Sequence, residues 1–365
     1  MLKSYYGSFV RPGGDEPLVF KAFDEQGNGV LHSNDSSCVV PVESGVPLFV
    51  NGLTSSFASA FAPELMKLGA QIPKSDLNSS DSWSFSREWD EHFDSANERT
   101  WGYTVQERYE QLLMECQVTE NELKSMSVLD AGCGNGSLTD YIGDKCSSVM
   151  GLDFATSVMK ANSRKRSKNV QFVQADLHNS PIKDETFDLA YSIGVLHHTP
   201  NTRVAFDSVA KMVKPGGRLY IWLYRRPENF LGRMVKVPIY DSLRWIISRL
   251  PAALQGVSVQ VYARLVRAFH RLRTGKEPIA LREYLISAYD DLACRWRFYH
   301  HPIEIARWFH EAGFDAPTLS HWDNPFGFGM VARKRKQDAT PGISYGDGTK
   351  LWDNRETVLG RLHKD

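Results

Sequence analysis

At 365 residues the chain has room for one large domain or two modest ones, and 42% hydrophobic and 24% charged residues exclude bulk disorder. Forty-three basic residues balance forty-three acidic ones, so the formal charge is zero and a general polyanion binder is excluded, though a local patch is not. The five cysteines (Cys38, Cys116, Cys133, Cys146, Cys294) are scattered and odd in number, against a disulfide framework or a zinc site. The opening residues show no basic segment before an apolar run. No apolar stretch approaches the ~20 residues of a membrane span. The expectation is a cytoplasmic chain.

Residues 1–53 are rich in Gly, Pro, Asn and Asp, with β-branched runs at 38–42 and 47–50 that read as a small strand-and-turn module. Residues 54–125 combine a Ser-rich linker with helices expected at 86–94 and 105–116. From 126 to 224 apolar strands alternate with helical patterns, the signature of βαβ units and a parallel sheet. The first strand, 127–131, leads into Gly132-Cys133-Gly134-Asn135-Gly136 and a helix from Ser137. Such a turn lets backbone approach a ligand closely beneath the positive end of the helix. The second strand, 149–153, ends in an acid 21 residues after Gly132, near the ~20 expected for a carboxylate that grips ribose hydroxyls.

The third strand, 170–175, ends in Asp176-Leu177, and the fourth, 187–192, runs into Ile193-Gly194-Val195-Leu196-His197-His198. A helix with Phe206, Val209, Ala210 and Val213 on one face is expected to stop at Lys214-Pro215-Gly216-Gly217, ahead of a fifth strand at 218–224. Residues 225–295 hold long helical segments. Residues 296–335 carry a helix at 302–312 and two strand-like runs, and residues 336–365 form a polar tail.

A Gly-rich loop with a downstream acid suits a nicotinamide dehydrogenase as well as a methyltransferase. The ordered set is more specific: Asp130 two residues before the first glycine, Gly-x-Gly-x-Gly, Asp153, Ala175-Asp176-Leu177 and Pro215-Gly216-Gly217. It resembles the class I S-adenosylmethionine-dependent methyltransferases, densely over 100–224 and loosely over 296–334. The resemblance implies an α/β fold, a doubly wound seven-stranded Rossmann-like sheet over 126–224 and 296–335. Strand six would fall near 316–321 and an antiparallel final strand near 327–334. It implies S-adenosyl-L-methionine as cofactor. Gly132, Gly134 and Gly136 would pass beside its methionine part, with Asp130 near the amino group. Asp153 would accept the ribose hydroxyls, Phe154 would lie against adenine, and Asp176 and Leu177 would meet the adenine amino group. Ser192 and Gly194 would border the sulfonium. Core packing is the alternative for Phe154 and Leu177.

A sulfonium methyl is already electrophilic, so the protein mainly holds a nucleophile in line, and a base is needed only where a proton must leave. His197 and His198 follow the fourth strand, where a parallel sheet opens its crevice, and are candidate bases. His301, in the run Trp296–Pro302, is a third, with helix capping as its alternative. No metal is expected. Trp101, Tyr103 and Arg108 are candidates to line the methionine end.

The run 38–50 resembles the closing segment of a zinc-ribbon-like module but lacks the paired cysteines, so a degenerate, metal-free version is expected. The insertion at 225–295 is expected to cap the substrate mouth. From Arg225 to Glu277 it carries eleven basic residues against three acids, interleaved with aromatic and aliphatic side chains. That suits an anionic, partly apolar acceptor or an anionic membrane surface, with a solvated helix face as the alternative. The leading function is methyl transfer to a small-molecule or lipid-like acceptor, on O or C. The rivals are an RNA or protein methyltransferase, disfavoured by the neutral total charge so that no nucleic acid partner is expected, and an inactive cofactor-binding scaffold. The oligomeric state stays open.

Overall fold

The computed structural model describes residues 3–50, 55–68, 100, 103–231, 234–235, 237–275, 280–320 and 326–336. The helix expected at 86–94, Trp101 and tail residues 337–365 lie outside these. Four short strands open the chain: β1 (Val19–Ala22), β2 (Gly29–His32), β3 (Val39–Glu43) and β4 (Val46–Pro47), paired antiparallel in that order. Helices α1 (Ser55–Ala60) and α2 (Ala62–Lys67) cover this sheet, packing Phe57, Phe61 and Leu65 with Phe23 and Val30.

Helix α3 (Val105–Cys116) spans the residues its pattern predicts. Thr104 and Glu107 form a capping box at its start, and Tyr109, Leu112 and Cys116 turn inward. After the short α4 (Glu120–Leu123) the chain alternates: β5 (Ser127–Ala131), α5 (Ser137–Gly143), β6 (Ser148–Asp153), α6 (Ser157–Arg164), β7 (Val170–Gln174), β8 (Phe187–Ile193), α7 (Thr202–Met212) and β9 (Val213–Tyr224). Three helices fill the insertion: α8 (Val237–Ile247), α9 (Ala252–Thr274) and α10 (Leu281–Leu292). The chain then returns through α11 (Pro302–Glu311), β10 (Thr318–Leu319) and β11 (Gly327–Arg333).

The main sheet has seven strands in the order β10-β11-β9-β8-β5-β6-β7. Strands β5 to β9 are mutually parallel, and β11 runs antiparallel between β9 and β10. Neighbouring strand residues feed opposite layers, so the strands are apolar on both faces as a covered parallel sheet requires. Leu129, Met150 and Leu152 pack with Phe206, Val209 and Phe309 on one side; Val128, Val149 and Phe172 pack with Tyr109, Leu112 and Ile142 on the other. The expected doubly wound architecture is present.

Two local expectations need correction. Lys214–Gly217 is not a stop ahead of the fifth strand but an insert within β9: Phe187 pairs with Val213 and Leu189 already with Arg218. Lys214 Nζ binds the Asp188 carboxylate at 2.9 and 3.0 Å, and a Cβ on Gly217 would lie 2.8 Å from the Asp188 carbonyl oxygen. The sixth strand pairs only at Thr318–Leu319. The N-terminal module closes the opposite edge. Leu48 bridges Gln174 in parallel, Phe49 N–H donates to the Gln174 carbonyl (2.8 Å), and Gln171 Nε2 donates to the Gly45 carbonyl (2.8 Å). Covering β7 removes an open row of strand donors and acceptors.

Candidate active site

Strand order reverses between β5 and β8, so a crevice opens at their carboxyl ends. A cavity of about 680 Å³ occupies it, within the ~300–1,000 Å³ usual for small-molecule sites. At one end lie Asp130, Gly132, Asp153, Phe154, Asp176 and Leu177.

The loop 132–136 has a conformation that side chains resist. Gly132 has φ +94°, and a Cβ there would fall 2.2 Å from the Val195 side chain. Gly194 has φ +76° and nothing within 4 Å of where its Cβ would sit, because it borders the cavity. Asp153 holds the loop: its Oδ2 accepts from Gly134 N–H (2.7 Å) and its Oδ1 from Ala155 N–H (2.8 Å). Each oxygen keeps a lone pair for a further donor. Burial raises the Asp153 pKa against these hydrogen bonds. Burial likewise pushes the Asp130 carboxyl up to about 6, opposed by the Thr139 hydroxyl at 2.7 Å, Tyr191 and Arg108. Asp176 accepts from His178 N–H at 2.8 Å.

The other end is built from the cap and the turn after β8. His198 Nε2 lies 2.7 Å from Asp290 Oδ1, and its Nδ1 faces the Trp296 carbonyl at 3.0 Å. The Tyr224 hydroxyl donates to the second Asp290 oxygen. Arg297 places its guanidinium 4.3 Å from the Tyr224 ring centre and binds Asp291 at 2.5 Å. Burial alone would raise the Asp290 pKa, but the His198 and Arg297 charges and the Tyr224 hydroxyl hold it well below the usual carboxylate range. Asp290, Asp291 and Tyr224 carry no motif, and they enter only through the fold. The signal available in the sequence was an adjacent acid pair closing a helical segment whose preceding stretch, 225–277, carries eleven basic residues against three acids.

Of the residues expected at the site, Asp130, Gly132, Asp153, Phe154, Asp176, Leu177, Gly194 and His198 line the cavity, together with Tyr103 and Arg108. Gly134, Gly136, Ser192, His197 and His301 do not. Gly134 acts through Asp153, and its carbonyl also accepts from Ser157 Oγ (2.9 Å). Gly136 backs onto Phe172 and Ala161, where a Cβ would fall 2.6–2.7 Å from their atoms. The buried Ser192 hydroxyl donates to the Ala131 carbonyl (2.7 Å) and so faces the sheet, not the cavity.

His197 is fully buried, with its ring 4.1 Å from that of Tyr224, and burial drives its pKa well down. It packs as a neutral ring. His301 caps α11, its Nδ1 accepting from Ile303 N–H at 3.3 Å.

The basic residues of the insertion also sit elsewhere than expected. Arg264, Arg267, Arg271 and Arg273 belong to α9 and none lines the cavity, whereas Arg295 and Arg297 do, beside Asp290 and Asp291. His198, Asp290 and Cys294 place one ligand atom each within 4.8 Å of one another. Asp290 is already engaged by His198 and Tyr224, and among the described residues no fourth ligand joins them.

A seven-stranded sheet with an antiparallel strand set between β9 and β10, and a glycine loop at the reversal point, is the fold of the class I methyltransferases. A family model described as a methyltransferase domain matches residues 129–221. The demethylmenaquinone methyltransferase of Corynebacterium kroppenstedtii is 29% identical over 133 residues, 36% of this chain and 53% of that protein. The ubiquinone biosynthesis O-methyltransferase of Aliivibrio fischeri is 31% identical over 120 residues, 32% of this chain and 51% of that one. The chain thus spans about half the length of these relatives. Among solved structures, an S-adenosylmethionine-dependent methyltransferase from Mesorhizobium loti aligns with 63% of this chain and all of its own, at 19% identity and a TM-score of 0.40.

Proposed function

We propose that the chain is a cytoplasmic S-adenosylmethionine-dependent methyltransferase acting on a small-molecule or lipid-like acceptor. The observation that carries this reading is one continuous cavity, with the glycine loop and its carboxylates at one end and the Tyr224–Asp290–His198 set at the other. The cofactor supplies an electrophilic sulfonium methyl. The chain must hold that group, align the acceptor, and take the acceptor's proton where there is one.

Asp153, with a spare lone pair on each oxygen, accepts the ribose hydroxyls. Asp176 and the Leu177 backbone meet the adenine edge, and Phe154 lies against the ring. Asp130 faces the amino group, whose positive charge favours the ionised form of a carboxyl that burial otherwise keeps near 6. Gly132 and Gly194 leave room for the methionine part, and Gly134 keeps Asp153 in place.

The relatives named for demethylmenaquinone methylation and for ubiquinone O-methylation support a small-molecule acceptor. The polar far end favours a hydroxyl as the group methylated. Both His198 nitrogens are already engaged, Nδ1 with the Trp296 carbonyl and Nε2 with Asp290, so the ring positions that carboxylate. The proton of the acceptor hydroxyl passes to the Asp290 carboxylate, which lines the cavity and is oriented by His198 and Tyr224. In this reading His198 positions Asp290, and His197 and His301, which do not line the cavity, take no part. An anionic group on the acceptor would meet Arg295 and Arg297.

Calorimetry on the full chain tests the cofactor reading. S-adenosylmethionine binds, and Asp153→Ala weakens it at least about tenfold, the charge-assisted hydrogen bonds at stake being worth roughly 1.5–3 kcal/mol each. Unchanged affinity in the variant, or binding of a nicotinamide dinucleotide instead, sinks the proposal.

A further inference from the structure

Helix α9 is apolar on two opposite faces. Val259 and Ala263 are fully buried, in a cluster with Ala288, Tyr289 and Leu292 of α10. On the far side Leu254, Val257, Val261, Leu265 and Leu272 are 51–85% exposed. At about 100° per residue these five fall within an arc of about 80°, a continuous stripe. Helix α8 adds exposed Ile239, Trp245 and Ile246. A helix apolar all round is normally covered on both sides, and scattered exposed leucines differ from a stripe of this length.

Charge says what covers it. Residues 252–274 contain four arginines and no acid, and the same turn geometry places Arg264 and Arg271 along one border of the stripe. Two copies of this helix laid face to face would bring arginines together with no carboxylate on either helix to receive them. A surface with an apolar interior and anionic headgroups meets both features. None of the helices among the described residues is long and apolar enough to cross a membrane. An apolar stripe bordered by arginine, with a tryptophan nearby, is the pattern of a helix lying in a membrane interface.

We propose that the outer face of α9, with the exposed side chains of α8, docks this chain on anionic lipid bilayers, α9 lying parallel to the surface. Docking goes beyond methyl transfer and does not depend on it, since binding is read without turnover.

The test is co-sedimentation of the full chain with vesicles of phosphatidylcholine alone or with added phosphatidylglycerol. The chain should pellet with the anionic vesicles and be released by high salt. Leu265→Glu with Leu272→Glu should abolish pelleting, and Arg264→Glu with Arg271→Glu should weaken it at least about tenfold. All these side chains are exposed, so melting temperature and S-adenosylmethionine affinity, measured on the same preparations, should stay at the parent values. If those controls hold, no pelleting at any composition overturns the proposal, as does pelleting that the leucine variants leave intact. A dimer seen by ultracentrifugation without lipid, lost in the leucine variants while vesicles bind nothing, gives the face to a second copy instead.

Discussion

At one end of the cavity the three carboxylates sit within a few residues of a strand end: Asp130 in β5, Asp153 closing β6, Asp176 after β7. At the other end His198 follows β8, Tyr224 closes β9, Asp290 belongs to a cap helix and Arg297 to the loop behind it. The bonds that join this second set span 66 residues between Tyr224 and Asp290 and 98 between His198 and Trp296. The first end is stiffened by its own backbone, since Gly134 and Ala155 N–H groups fix Asp153. The second is stiffened by charge, since Asp290 is held by His198, Tyr224 and Arg297. A local scaffold can take an invariant ligand and a distant, charge-locked one a ligand set by the cap, so perturbing one end should leave the other intact.

The largest separation is expected from Asp290→Asn. Losing the carboxylate proposed to accept the proton should lower kcat by roughly 10²–10⁴, the usual worth of general acid–base assistance. S-adenosylmethionine affinity, read by calorimetry, should stay within about twofold. Equal losses in both would merge the two ends and end the contrast.

Gly132→Ala attacks the opposite end. Its φ of +94° and a Cβ only 2.2 Å from Val195 impose strain of about 1–3 kcal/mol, so cofactor binding should weaken roughly ten- to a hundredfold by calorimetry. If affinity is unchanged, the loop does not carry the cofactor.

The pH dependence sharpens the same comparison. Burial holds the Asp130 carboxyl near 6, so below about pH 6 it gains a proton and loses its hold on a cationic amino group, while burial shifts Asp153 in the same direction. Affinity for S-adenosylmethionine should therefore fall towards about tenfold per unit as pH drops through 6 to 5. Asp130→Asn should flatten that slope. For stability of the free protein the sign is reversed. A raised carboxyl favours the folded state while protonated, and that contribution fades as pH rises through 6.

The smallest effect belongs to the N-terminal module, whose described residues line neither end of the cavity. Cys38 has its amide tied to Ser33 Oγ at 3.0 Å and is half-buried beside a strand. Chelator should leave the melting temperature unchanged, and metal analysis should find zinc well below one per chain. One tightly held zinc would overturn the metal-free reading and point to a His/Asp ligand set instead.

Much of the cofactor end is legible along the chain because its chemistry is local. A glycine run between a strand and a helix, with acids at the next two strand ends, needs only the sheet order to converge. Even there, the sequence pattern does not say that Gly136 and Ser192 serve the scaffold. Whether a residue faces the cavity or the layer behind it depends on strand register and on Phe172 and Ala161 filling the space.

The amino-acid sequence by itself determined the alternation of strands and helices, the covered parallel sheet, the glycine loop and the carboxylates that end β6 and β7. These follow from hydrophobic periodicity and backbone freedom, which act over a few residues. Only the tertiary structure decided which histidine meets a carboxylate. The same adjacent pair is split by packing: His197 is sealed against Tyr224 and kept neutral, while His198 meets a carboxylate delivered from α10. It also decided that the arginines of α9 stand off the cavity while Asp290 and Asp291 of α10 line it. Burial and charge pairing act through space, and no count along the chain can weigh them.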